Sequence, residues 1–128
     1  MSVKVADKAE PSDQDIEDRL LGGNGNIPDI SPDDNMRALI MTRQRWLGSL
    51  TMARVNLRLA KAMSDEQMQK ASLAEGKKVL TAIDLIDDQL VEAILAAKTL
   101  PEDVKNNIPK EVEKRVKEQE VVQRIKEG

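Results

Sequence analysis

The chain contains no histidine, cysteine, phenylalanine or tyrosine, and Trp46 is its one aromatic residue. Without histidine and cysteine, the sequence lacks the usual zinc ligands, the thiolate nucleophile and the imidazole that most often serves in acid–base catalysis. Because cysteine is absent, the sequence does not indicate whether the protein works in an oxidising or a reducing compartment. We therefore expect a protein that is not an enzyme and that binds no cofactor and no metal.

Long hydrophobic runs are missing as well. No stretch approaches the roughly 20 apolar residues of a membrane-spanning helix, and the first residues lack the apolar centre of a secretory signal. From the sequence we therefore expect a cytoplasmic protein, in the host cytoplasm if it is viral, with no membrane contact.

The apolar residues that are present, 40% of the chain, are almost all aliphatic, and 34% of the residues are charged. Aromatic side chains usually supply much of the buried area of a compact core. Aliphatic side chains among many charges are instead typical of narrow apolar faces on long helices. The composition therefore predicts an all-α fold.

Residues 1–30 hold seven acidic and three basic residues and few apolar ones. Ile16, Leu20 and Leu21 have the spacing of one short helix at about 12–21, and the glycine-rich run 22–26 then ends it. That run lacks the strand and the Lys-Ser/Thr pair of a phosphate-binding loop. The pattern predicts a flexible acidic N-terminal segment with a linker.

Two signals for the start of a helix divide the central part of the chain. Ser31 can serve as an N-cap before Pro32 and two acidic residues, which favour the positive end of a helix dipole. Ser64, with Gln67 three residues later, matches a capping box. The sequence therefore predicts two helices, the second beginning with Ser64 as its N-cap.

These helices are expected at about 32–63 and 65–98, as a long antiparallel hairpin that forms an oligomerisation domain over 31–98. One continuous helical rod is the alternative. The second helix carries one heptad-like seam, which Gly76 and Ser72 extend with small residues that favour close approach of the partner helix. The predicted hairpin seam is Val79, Ile83, Ile86, Leu90, Ala93 and Ala97.

The first long helix has apolar residues on two opposite sides. A helix with two apolar faces needs two neighbours, and its hairpin partner can cover only one of them. The sequence therefore predicts a homo-oligomer. One face holds Leu39, Trp46, Leu50, Ala53 and Leu57. The opposite face holds Met41, Met52, Val55 and Leu59. The predicted oligomer interface draws on the large residues of both faces: Leu39, Met41, Trp46, Leu50, Met52, Val55, Leu57 and Leu59.

Charge is distributed unevenly between the two helices. Residues 36–63 hold six basic residues and no acidic one, whereas residues 65–98 hold seven acidic and four basic residues. The bases can pair with carboxylates of the second helix, or they can contact phosphates. With a net charge of −3, we expect at most weak, salt-sensitive and sequence-independent DNA binding. The candidate phosphate contacts are Arg43, Arg54, Arg58 and Lys61.

Asp84, Asp87 and Asp88 form an acidic cluster on the second helix. Paired carboxylates can bind Mg²⁺ or act as acid and base. No pocket or accessory residue is evident in the sequence, so we interpret the cluster as a solvated face.

Residues 99–128 form a charged tail that Pro101 and Pro109 interrupt. Seven acidic and seven basic residues balance each other there. A weak helical stripe predicts an amphipathic C-terminal helix that docks, on a second protein for example, or frays. The stripe is Val112, Val116, Gln119, Val122 and Ile125.

This layout of an acidic lead, a capped antiparallel hairpin and a charged tail resembles the small terminase subunits of tailed bacteriophages, in particular those of T-even and related phages. The resemblance covers about residues 31–98. It implies a hairpin that assembles into rings, recognition of viral DNA and recruitment of the large packaging ATPase. Many members carry an N-terminal helix-turn-helix, for which residues 1–30 are too short, too acidic and too rich in glycine.

Two other functions fit the same sequence. The chain could be a structural or scaffolding protein of a virion or other assembly, or a small helical inhibitor or adaptor that docks on a host protein. A symmetric oligomer of high order favours the packaging adaptor, and occurrence only within an assembled shell favours the scaffold. A soluble dimer that binds one cellular protein favours the inhibitor.

Overall fold

The computed structural model describes residues 12–21 and 30–127, and the chain divides into two units, Met1–Ile30 and Ser31–Gly128. In the first unit, helix α1 spans Asp13–Leu20, and the Ser12 hydroxyl accepts a hydrogen bond from the backbone N–H of Asp15. This confirms the predicted short helix. The predicted linker at 22–26 lies outside the described residues.

The second unit consists of four helices. They are α2 (Pro32–Ala62), α3 (Glu66–Ala96), α4 (Glu102–Asn106) and α5 (Lys110–Glu127). The described ranges contain no β-strand, so the predicted all-helical class is confirmed. In these ranges no helix combines the length and the apolar character needed to cross a membrane.

Helix α2 begins as the sequence predicts. The Ser31 hydroxyl accepts a hydrogen bond of 3.1 Å from the backbone N–H of Asp34, and Pro32 occupies the first turn. The helix has 31 residues, which corresponds to a length of roughly 46 Å.

The end of α2 differs from the prediction. Ser64 has a left-handed backbone with φ of 55°. The Ser64 N–H bonds to the Lys61 carbonyl at 3.1 Å and the Asp65 N–H bonds to the Ala60 carbonyl at 2.9 Å. This pair of bonds is a Schellman motif, so Ser64 closes α2. The predicted capping box with Ser64 as N-cap is wrong.

Asp65 caps α3 instead, because its carboxylate accepts a hydrogen bond of 3.0 Å from the backbone N–H of Met68. Three residues separate α2 from α3, and Ser64, whose left-handed backbone ends α2, does not also cap the next helix. The break at 63–65 removes the alternative of one continuous rod.

Helices α2 and α3 pack along their length. Val79 and Leu90 of α3 are fully buried, and Ile83 and Ile86 are almost so. These are four of the six predicted seam residues. Ala93 and Ala97 are partly buried against the same core. On α2 the buried residues of the later half are small ones, Ala53 and Ala60, which lets the two helix backbones approach closely.

The C-terminal region packs onto this helix pair rather than standing apart. Val104 of α4 and Val112 and Val116 of α5 lie in one buried cluster with Met36 and Ile40 of α2 and Leu90 of α3. The distal half of α5 makes no such contact, and Val122 and Ile125 are exposed. The predicted apolar stripe of the tail is thus buried in its first half only.

Contrary to the prediction from the sequence, Gly76 does not lie at a close contact between α2 and α3. A Cβ atom built at Gly76 would meet nothing within 4 Å, so the approach of α2 to α3 does not require glycine there. Ser72, one turn earlier, is buried against α2. The prediction of a close-approach site is therefore wrong for Gly76, which borders open space.

Replacing Ser64 with glycine is expected to raise the free energy of unfolding by roughly 0.5–1 kcal/mol, because glycine adopts the left-handed conformation without the clash of a Cβ atom. Ser49→Gly, inside α2, is the matched control and should lower the same quantity by about 0.5 kcal/mol. Urea denaturation followed by circular dichroism measures both. If both substitutions destabilise equally, the left-handed turn at Ser64 is not the native one.

Candidate interaction surface

One face of α2 is covered by the rest of the unit. Leu39 and Trp46 are partly buried and pack on the core cluster. Leu50 and Leu57 are also partly buried, and Ala53 between them is buried. This is the face with Trp46 that the sequence predicts, and in the single chain it faces α3 and the core.

The opposite face of α2 is open. Met41, Met52, Val55 and Leu59 each leave between 42% and 59% of their surface exposed. With Arg45, Gly48 and Ala62 they recur along α2 at steps of four and three residues, the spacing of a heptad seam. We call Met41, Met52, Val55 and Leu59 the outer face. The eight predicted interface residues therefore separate into four that pack inward and four that remain available.

A buried ion pair joins α2 to α3. Arg43 Nε donates a hydrogen bond of 2.6 Å to Asp87 Oδ1, and Arg43 Nη2 donates one of 3.3 Å to Asp87 Oδ2. Only 13% of the Arg43 side chain and 6% of the Asp87 side chain are exposed. This two-point contact fixes the position of α2 along α3, since a shift by one turn would leave both charges buried and unpaired.

This pair corrects two predictions. Arg43 is committed to Asp87, so the structure does not place it with the exposed candidate phosphate contacts. Asp87 is buried, and Asp88 accepts a hydrogen bond from Arg115 of α5. The interpretation of the acidic cluster as a solvated face is therefore wrong for Asp87, whereas Asp84 and Asp88 are exposed.

A second ion pair holds α4 beside α2. Arg37 Nε donates to Asp103 Oδ2 at 2.7 Å, and its Nη1 donates to Asp34 Oδ1 at 2.9 Å. The hydrogen bond from Arg37 lowers the pKa of Asp103, and hydrogen bonds from Arg37 to Asp103 and Asp34 raise the pKa of Arg37. Because the pKa of Asp103 is lowered, this contact stabilises the fold at pH values above the ordinary carboxyl pKa. The stabilisation is lost as the pH falls through the lowered pKa of Asp103.

The remaining candidate phosphate contacts are Arg54, Arg58 and Lys61, and all three are exposed. They follow one another at four and three residues, so they project from one side of α2. Among the described carboxylates, none forms an ion pair with them. They constitute an exposed basic row.

Within residues 12–21 and 30–127 no three acidic side chains are placed to hold a metal ion together. Asp84, Asp87 and Asp88 do not converge, because Asp87 turns to Arg43 and Asp88 to Arg115.

Sequence reasoning missed several residues that the fold depends on. Met36 is fully buried and Ile40 nearly so, although neither belongs to the faces read from the periodicity. Helix α4 was not predicted, and its Val104 is almost fully buried. A five-residue helix shows no periodicity, and the partners of Met36 on the other helices lie fifty or more residues away, so the spacing within one helix marks neither residue.

Replacing Asp87 with alanine is expected to lower the free energy of unfolding by roughly 3–5 kcal/mol, because Arg43 is then left buried without its counter-charge. Asp84→Ala is the matched control on the same helix and should change it by no more than about 0.5 kcal/mol. The double variant Arg43→Met with Asp87→Leu should be less destabilised than Asp87→Ala. Equal effects of Asp87→Ala and Asp84→Ala in urea denaturation would contradict a buried pair.

Comparisons with protein families, with curated proteins and with solved structures gave no match to the chain.

Proposed function

We propose that the chain is a non-enzymatic oligomeric adaptor, in which α2 and α3 form an antiparallel hairpin and copies associate through the outer face of α2. The observation that carries this proposal is the row of half-exposed large apolar side chains, Met41, Met52, Val55 and Leu59, opposite the face that α3 covers. Single exposed apolar residues are ordinary on protein surfaces, whereas several large ones on one face of a helix mark an interaction site.

The size of the row fits reversible association. Full burial of one large aliphatic side chain contributes roughly 1.5–3 kcal/mol, so covering the remaining half of four contributes roughly 3–6 kcal/mol. Two copies together would gain roughly 6–12 kcal/mol, against about 4–15 kcal/mol lost in translational and rotational freedom. The gain and the cost are of the same order, which favours an assembly that depends on concentration.

The narrower form of the proposal is a viral DNA-packaging adaptor, like the small terminase subunits that the layout of the hairpin resembles. Such an adaptor would recruit a packaging ATPase, and the exposed distal half of α5, with Val122 and Ile125, offers one surface for a second protein. A structural or scaffolding role in an assembly uses the same outer face and is the other candidate.

Replacing Met52 with glutamate places a charge in the middle of the outer face and is expected to reduce the assembly to smaller species. The helical circular dichroism signal should stay, because Met52 makes no contribution to the buried core of the unit. Light scattering coupled to size-exclusion chromatography, at several micromolar concentrations, measures the subunit count.

The matched control is Leu85→Glu, since Leu85 is exposed on α3 to nearly the same extent, 57% against 59% for Met52. Leu85→Glu should leave the subunit count unchanged. A stable monomer of the unmodified protein at micromolar concentration would contradict the proposal, and so would equal loss of assembly in both variants.

A further inference from the structure

A groove of about 360 Å³ runs between α2 and α3, away from the outer face. Its floor contains small residues, Ala53, Ser72 and Gly76, and its apolar walls include Leu73 and Leu80. Leu73 leaves 59% and Leu80 leaves 51% of their surface exposed. We call this the α2–α3 groove.

The groove continues a surface that the chain already covers with a helix. On α3, Leu73, Leu80 and Val91 are separated by seven and eleven residues, so they lie on one side of the helix. Val91 is buried in the cluster that contains Val112 and Val116 of α5. The C-terminal half of α3 thus carries a docked helix on the side where its N-terminal half presents the groove.

The space beside Gly76 also indicates that the groove can receive a partner. Glycine inside an exposed helix is destabilising by about 1 kcal/mol relative to alanine, and no neighbour in the unit requires the missing side chain, since a Cβ atom there would meet nothing within 4 Å. The space beside Gly76 is therefore free for an atom from outside the unit.

The charged residues beside the groove are mostly basic. Arg54 and Lys77 line its two walls. Arg58 and Lys61 follow Arg54 on the same side of α2, and Lys70 precedes Lys77 by seven residues on α3. None of these five bases forms an ion pair with a described carboxylate. Asp84 is the one acidic side chain among the lining residues.

We propose that the α2–α3 groove binds an acidic amphipathic helix of a partner protein, with apolar residues at i, i+4 and i+7 against Leu73, Leu80 and Gly76. Helix-in-groove recognition uses such spaced apolar anchors, and the acidic flanks would meet the basic walls. A nucleic acid fits less well, because the floor is apolar and no aromatic side chain lines the groove for base stacking. The site is separate from the outer face and does not depend on self-association.

The probe is a fluorescein-labelled 18-residue helical peptide with leucines at those positions and glutamates on its flanks, titrated with the full chain. The control peptide carries lysine in place of every glutamate. We expect fluorescence anisotropy to show saturable binding of the acidic peptide only. Equal binding of both peptides, or no binding of either, would overturn the proposal.

Lys77→Glu should weaken binding of the acidic peptide by at least about tenfold, since like charges then face each other. Lys78→Glu is the matched control: it makes the same charge change one residue later, outside the groove lining, and should leave the affinity unchanged. Gly76→Leu should abolish binding, because its side chain fills the groove. The thermal melt of that variant should be no lower than that of the unmodified chain.

Two further results would overturn the proposal in favour of a different occupant. If duplex DNA displaces the acidic peptide from the unmodified chain, and Lys77→Glu weakens DNA binding while Lys78→Glu does not, the walls serve phosphates. If Lys77→Glu lowers the subunit count of the chain, the occupant is a second copy, whose residues 12–21 are also acidic and apolar. Unchanged subunit count with lost peptide binding supports a partner helix.

Discussion

The rest of the molecule depends on one geometric constraint, which is that a helix in a pair can bury only one of its faces. Helix α2 has 31 residues and apolar side chains on two sides. Its contact with α3 uses small residues, Ala53 and Ala60, at one end and the larger Met36 and Ile40 at the other. Because α3 occupies that side, the outer face stays exposed and can associate with another molecule.

The buried pair of Arg43 and Asp87 determines where the two helices meet. Aliphatic seams alone tolerate slippage by a turn, since one leucine or isoleucine can replace another. A buried charge pair does not tolerate it, because the mismatched state leaves both charges without partners. Two exposed ion pairs hold the C-terminal helices in place: Arg37 with Asp103 of α4, and Arg115 of α5 with Asp88. They stabilise the fold less than the buried pair does, since solvent screens them.

Much of the fold could be predicted from local signals. The cap at Ser31, the seam through Val79 and Leu90 and the two faces of α2 all follow from spacing along one helix. Two of the failures, at Asp87 and Val104, depend on partners that are distant in sequence. From spacing alone Asp87 belongs to a solvated face, because its partner Arg43 lies on the other helix. Val104 lies in a helix too short to show periodicity. Ser64 matched a capping box, but its left-handed backbone ends α2 instead.

The central claim, that another copy covers the outer face of α2, can be tested through the methionines. Met41 and Met52 are exposed on that face, whereas Met36 is fully buried in the core of the same helix. Oxidation by dilute hydrogen peroxide, followed by mass spectrometry of each methionine, should be fast at Met52 in nanomolar protein and slow at high micromolar concentration, with Met36 protected throughout. A rate at Met52 that is the same at both concentrations would contradict the claim.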